Sequence, residues 1–194
     1  ENKTDMALIG NGYFALQNLN DNTVSFTRNG AFGLDEQGFL TTADNHRVLG
    51  TPIFENDFGQ TPDNIEALQP IQIPSIRDDL VMSELEIAED GRISARYGEQ
   101  DPVPISSLTI GIFSNPIGLK ELGNARFSAT ERSGLLTLGA PMDSGFADLQ
   151  VGGLEISNVN ITDELTAMIK AQQQFNGSAR LMQANSDMVE KLTR

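Results

Sequence analysis

Steps of seven residues from Ile161 land on Ile161, Met168, Phe175, Met182 and Val189, an unbroken apolar row in the last part of the chain. Four residues after each of the first four stand Leu165, Gln172, Ala179 and Ser186, apolar at first and then polar or small. One strong row beside one mixed row is a heptad seam, which specifies a helix rather than a strand. Asn160 is placed to cap the start, with Thr162 the alternative, and Asp163 and Glu164 sit where the positive end of the helix dipole favours carboxylates. At about 1.5 Å per residue a helix from Ile161 to Thr193 is about 50 Å long, so only its first half could lie on a domain built from the rest of the chain. Packing on its own domain is the alternative reading, but Gln172 and Ser186 would then need hydrogen-bond partners, and polar residues on a seam more often set register between helices. The stretch is read as a projecting, coiled-coil-type assembly helix. Its expected interface is Ile161, Leu165, Met168, Ile169, Gln172, Phe175, Ala179, Met182, Val189 and Leu192.

The other residues read as β and turn, giving a mainly β fold class. The expected division is a hairpin-rich core over 1–150 and the helical part over 151–194. Met6 to Ile9, Tyr13 to Gln17, Val24 to Arg28, Ala31 to Leu34 and Phe39 to Thr42 are short strands, with Asn29-Gly30 expected as a tight turn because both residues tolerate positive φ. Residues 51–70 carry three prolines and no period, and are expected to cross the domain as a loop. Strands are then expected at Ile71 to Ile76, Leu85 to Ala88, Arg92 to Tyr97 and Leu108 to Phe113, one helical turn at Leu119 to Leu122, and edge strands at Phe127 to Thr130 and Leu135 to Leu138.

Formal net charge is −14, from 27 acidic against 13 basic residues, which disfavours nucleic acid and anionic membrane surfaces as partners. With no cysteine there is neither a disulfide framework nor a thiolate metal site. No basic segment precedes a long apolar run and no apolar stretch approaches 18 residues, so neither a cleavable secretory signal nor a membrane span is expected.

Gly10-Asn11-Gly12-Tyr13-Phe14-Ala15 matches a dinucleotide fingerprint, with Asp35 near the ribose-contact distance. That mechanism needs a helix opening after the glycines, and the following residues are aromatic and strand-like. His46, the single histidine, lies in the polar stretch Asp44-Asn45-His46-Arg47 without a metal-ligand partner spacing, and is expected as a solvated turn residue. Asp78-Asp79 and Glu89-Asp90 are expected as surface turns. No enzyme, cofactor, metal or small-molecule substrate is expected.

The segment Ile9 to Gly50 resembles the opening of the core domain in the bacterial flagellar rod and hook protein family. Members read as a G-x-G-[FY]-F strand, a [YF]-[ST]-R-[DN]-G-x-F hairpin and an L-D-x-x-G-x-L hairpin, here Gly10 to Phe14, Phe26 to Phe32 and Leu34 to Leu40. Leu154 to Asn160, Glu164-Leu165, Met168-Ile169 and Ala171-Gln172 are similar to the family's C-terminal signature, and Pro70 to Pro74 to its P-I-x-I-P segment. Only some twenty irregular residues separate the hairpins from that segment, so the chain resembles the rod members, the distal rod type above all. A hook protein or truncated hook-like paralogue is the alternative. Members begin with a long helix that pairs with the C-terminal one, whereas this chain starts after it, and it carries Lys170 and Gln173 where an apolar residue and an arginine are common.

The resemblance implies a structural subunit that stacks helically with its own copies and other rod and hook proteins into a hollow, torque-transmitting tube. It implies an inner layer of helices and an outer β layer, in the extracytoplasmic basal body, reached by export without a cleavable signal. Without the partner helix this chain is expected to be largely monomeric. A secreted β-rich binding module is the competing reading, and the absence of tryptophan leaves it little for an aromatic platform.

Overall fold

The computed structural model describes residues 3–53, 62, 64–153 and 161–192. The chain divides into two compact units, Glu1–Glu155 and Ile156–Arg194.

The first unit is built from short strands: β1 (Met6–Ile9), β2 (Tyr13–Asn18), β3 (Val24–Thr27), β4 (Phe32–Leu34), β5 (Leu40–Thr42) and β6 (His46–Pro52). After a 3₁₀ turn at Ile65–Ala67 come β7 (Gln69–Pro70), β8 (Ile76–Arg77), β9 (Leu80–Ile87), β10 (Arg92–Tyr97), β11 (Val103–Leu108) and β12 (Ile110–Phe113). The unit closes with β13 (Lys120–Gly123), β14 (Arg126–Ser128), β15 (Leu136–Gly139) and β16 (Asp148–Val151). The main sheet runs β13-β14-β3-β2-β6-β11-β10-β9-β8, with β12 joining β2 to β15, β5 carrying β4, and β7 on β6. A second, two-stranded sheet pairs β1 with β16, Met6 opposite Val151. Every named pairing is antiparallel, which short turns between consecutive strands permit.

Alternation along β2 explains its central place. Phe14 and Leu16 point into the larger core cluster with Met6, Leu40, Val48, Ile73 and Ile93. Ala15 points the other way, into a smaller cluster with Phe26, Leu49 and Phe113. A strand with apolar residues on both faces must be covered on both faces, and here an edge-to-face ring pair closes each side: Phe14 on Phe32 at 5.1 Å and Phe26 on Phe113 at 4.8 Å.

Several expected elements form differently. Asn29-Gly30 is not a hairpin turn: neither residue has positive φ, β3 pairs with β2 and β14, and β4 pairs with β5. Leu119 to Leu122 is not helical; a 3₁₀ turn forms earlier, at Pro116–Gly118, and Lys120–Gly123 is drawn into β13 by pairing with β14 across left-handed Asn124 and Ala125. The run Leu108 to Phe113 splits at Thr109, since Leu108 pairs with Gly50 whereas Ile110 pairs with Phe14. Ile71 to Ile76 forms no continuous strand, because Pro70 and Pro74 lack the amides a ladder needs. Ile71 and Ile73 are nonetheless fully buried, their amides donating to the Val48 and Gly38 carbonyls.

In the second unit, α1 spans Ile161–Leu192. The fold class is mainly β with one C-terminal α-helix. The expected caps at Asn160 and the signature Leu154 to Asn160 lie outside the described residues.

Candidate assembly interface

The residues singled out for chemistry are occupied in building the fold. Gly10 and Gly12 are followed by β2 instead of the helix a pyrophosphate needs, and a Cβ at Gly12 would meet the Ile110 side chain at 2.3 Å. Asp35 is committed to its own turn, one carboxylate oxygen accepting from the Gln37 and Phe39 amides at 2.9 and 2.7 Å.

His46 is not a solvated turn residue. It opens β6 and is buried, with Nδ1 2.9 Å from the Asp44 carbonyl and Nε2 against the Arg126 guanidinium, eighty positions away in sequence. A carbonyl only accepts, so Nδ1 carries the proton and Nε2 accepts from Arg126. Arg126 also lies 3.1 Å from the Asp44 carboxylate, and the three side chains pin β14 to the start of β6. Burial alone would raise the Asp44 carboxyl, but hydrogen bonds from Thr42 and Asn124 and the Arg126 charge outweigh it and hold it below the ordinary aspartate range.

Asp78 and Asp79 turn β8 into β9 in left-handed conformation. The Arg92 side chain hydrogen-bonds Asp90 and holds its carboxyl low. Burial pushes the Tyr97 hydroxyl up, and that hydroxyl donates to the Pro74 carbonyl. Among the described residues no group of three or more His, Asp or Glu side chains is placed to hold a metal ion.

Within the segment Phe26 to Phe32, Arg28, Asn29, Gly30 and Phe32 each have a constructional role. Arg28 donates to the carbonyls of Leu8, Gly10 and Gly12, tying the end of β3 to the β1–β2 connection. Asn29 accepts from the Ala31 amide. At Gly30 a Cβ would stand 1.7 Å from the Met6 carbonyl oxygen, so only glycine admits this approach of two backbones. Phe32 is buried against Phe14.

The predicted interface residues on α1 fall in two groups. Leu165, Met168, Ile169, Gln172, Phe175, Ala179 and Met182 are exposed, with Phe175 at 75% and Met182 at 77%. The side chains of Ile161, Val189 and Leu192 lie outside the described set. Exposed Met188, one residue from the predicted row, was missed; it falls off the seven-residue step. Six large apolar residues of the β unit are also more than half exposed, Ile9, Ile76, Val81, Ile117, Leu135 and Met142, and short turn-flanked segments give no periodicity from which to read that. Among the described residues no helix is long and apolar enough to cross a membrane.

Comparison with known proteins gives two family matches. Residues 7–95 match the domain described as the flagellar hook protein FlgE/F/G D1 domain, and residues 150–194 match the C-terminal domain of flagellar basal body rod FlgEFG proteins. The flagellar basal-body rod protein FlgG of Borreliella burgdorferi is 28% identical over 96% of this chain and 62% of its own length. FlgG of Bacillus subtilis is 31% identical over 97% of this chain and 63% of its own length. The flagellar hook protein FlgE of Caulobacter vibrioides is 32% identical over 57% of this chain but only 19% of its own length. The chain thus spans somewhat under two thirds of the length of the rod proteins it matches. With a hook and rod family domain matched over residues 7–95 and again over 150–194, and rod relatives aligned along nearly all of it, the chain belongs to the flagellar rod and hook protein family.

Proposed function

We propose that this chain is a structural subunit of the flagellar basal-body rod, adding copy on copy into a hollow tube that carries torque. Its partners are its own copies and other axial flagellar proteins, and its place is the extracytoplasmic part of the flagellum. Residues 1–150 supply an outer β layer and residues 151–194 a coiled-coil-type helix for an inner one. Head-to-tail contacts that do not close on themselves generate a filament of this kind.

The observation that carries the reading is the exposed seam Leu165, Met168, Phe175 and Met182 on one helix. Burying one such side chain stabilises an assembly by about 1.5–3 kcal/mol, and at heptad spacing the surface that buries it is another helix. A hook subunit is the second reading, favoured by the Caulobacter hook match and weakened by how little of that protein the match covers.

The test places a charge on the row. Met168→Asp and Phe175→Asp in the full-length protein should abolish rod formation and motility while the β unit keeps its circular dichroism. Normal motility in both variants would remove the row from the assembly.

A further inference from the structure

A chain with a surplus of fourteen negative charges repels its own copies unless cations are kept free to meet the neighbour's carboxylates. Six of the basic side chains of the β unit are already engaged: Lys3, Arg47, Arg77, Arg92, Arg96 and Arg126 each stand within 4.0 Å of a carboxylate. Arg28 is held by three backbone carbonyls. Among the described residues of this unit, that leaves Lys120 and Arg132 without an acidic partner.

These two cations line the same hollow, of about 560 Å³, together with Ile117 and Thr130. The hollow is rigidly built. Asn115 donates from its side chain to the Arg132 carbonyl at 2.8 Å and from its amide to the Ser133 carbonyl at 3.0 Å. The Thr130 hydroxyl donates to the Gly118 carbonyl at 2.6 Å, and a Cβ on Gly118 would run into the Arg132 backbone. A reciprocal Thr130–Ser133 capping box fixes the second wall. On this frame Ile117 is 95% exposed, and Leu135, at the end of the same pair of loops, is 80% exposed. Glu121 and Glu131 adjoin in sequence but do not line the hollow.

The complementary feature lies at the other end of the sheet. Lys120 belongs to β13, one terminus of the strand path, and the opposite terminus is β8. There Ile76 and Val81 pair across the ladder, both more than 60% exposed, around the acidic turn Asp78-Asp79. Arg77 only grazes Asp78, at 4.0 Å. Eight inter-strand steps of about 4.8 Å separate the two ends along the path, roughly 38 Å.

We infer that the β8–β9 tip of one copy seats in the Ile117–Lys120–Arg132 hollow of the next, with Asp78 and Asp79 meeting the two cations and Ile76 and Val81 covering Ile117 and Leu135. The occupant is a second copy of this chain. Tip and hollow are different surfaces, so the contact is heterologous and repeats without closing. This deepens the rod reading by naming a contact within the β layer, and it rests on that reading only for its repetition into a tube.

The chain has no cysteine, which makes site-directed cross-linking clean. Full-length protein carrying Val81→Cys and Ile117→Cys together, treated with a short bismaleimide, should give a ladder of dimer, trimer and higher species, and neither single variant should pass the dimer. Adding Lys120→Glu and Arg132→Glu should slow the ladder about tenfold. A double-cysteine variant that stops at the dimer, that cross-links to a different protein, or that ladders equally fast with both charges reversed overturns the inference. Electron microscopy of the same samples separates the two claims: filaments without a ladder refute this contact and leave the rod reading standing, whereas a ladder without tubes supports the contact and counts against the tube.

Discussion

Gly30 and Gly33 stand three residues apart on the same segment, and replacing each by alanine should have opposite consequences. At Gly33 a new methyl group meets nothing within 4 Å, so Gly33→Ala should leave stability within about 0.5 kcal/mol of the parent. At Gly30 the methyl would lie 1.7 Å from the Met6 carbonyl oxygen, and real Cβ contacts do not come under 3.0 Å. The gap of 3.0 − 1.7 = 1.3 Å must come from β1 moving away. That retreat stretches the Met6 amide to Gly30 carbonyl bond, now 3.0 Å, out of hydrogen-bond range, at about 1–3 kcal/mol for buried groups left unpaired. It also draws fully buried Met6 partly out of the core, worth about 2 kcal/mol more as a fraction of a large-to-small loss. Gly30→Ala should therefore cost about 3–5 kcal/mol and lower the melting temperature by about 10 °C, read by urea titration and thermal circular dichroism. Equal stability of the two variants would mean that β1 does not pass this closely and that the account of Gly30 is mistaken.

His46→Ala should destabilise the unit by about 1–3 kcal/mol, because it strips the Arg126 guanidinium of its acceptor, and the β13–β14 hairpin should lose hydrogen-exchange protection first. Unchanged exchange there would remove His46 from the anchoring of that hairpin. The lowered carboxyls of Asp44 and Asp90 contribute stability that is fully present above the ordinary aspartate value of 3.8 and is lost as pH falls through their lower folded-state values. Urea midpoints should accordingly be flat from neutrality to about pH 5 and fall below pH 4, with a shallower fall in Asp44→Asn. A variant that tracks the parent would assign the acid loss elsewhere.

What could be read from the sequence was what is decided locally. The seven-residue row over α1, the apolar run of β2 and the alternation in β10 need only neighbouring residues to be visible. The misreadings fall where a distant segment decides. His46 sits in a polar stretch and is buried only because Arg126 arrives with β14; Lys120 to Gly123 has helix-compatible residues and becomes a strand because Arg126 to Ser128 pairs with it. Ile71 and Ile73 lie between two prolines, which breaks a strand pattern without preventing burial. Nothing in the short turn sequences around Ile76 and Ile117 distinguishes an exposed apolar residue from a buried one, so the hollow and the tip were invisible before the strand order set them at opposite ends.

The motif that reads at first as a nucleotide fingerprint gains a purpose from the same topology. The β1–β16 sheet meets the larger one where Gly30 lies against Met6, and Gly10 lies against Ala147 and Gly12 against Ile110 beside it. Arg28 bonds three carbonyls across that seam, from Leu8, Gly10 and Gly12. Gly30 brings two backbones closer than any side chain would permit, Gly12 leaves room for the Ile110 side chain, and one guanidinium donates to the carbonyls crowded there. The same residue types that elsewhere cradle a phosphate here lock one sheet to another, and it is the strand following the glycines, in place of a helix, that decides between the two uses.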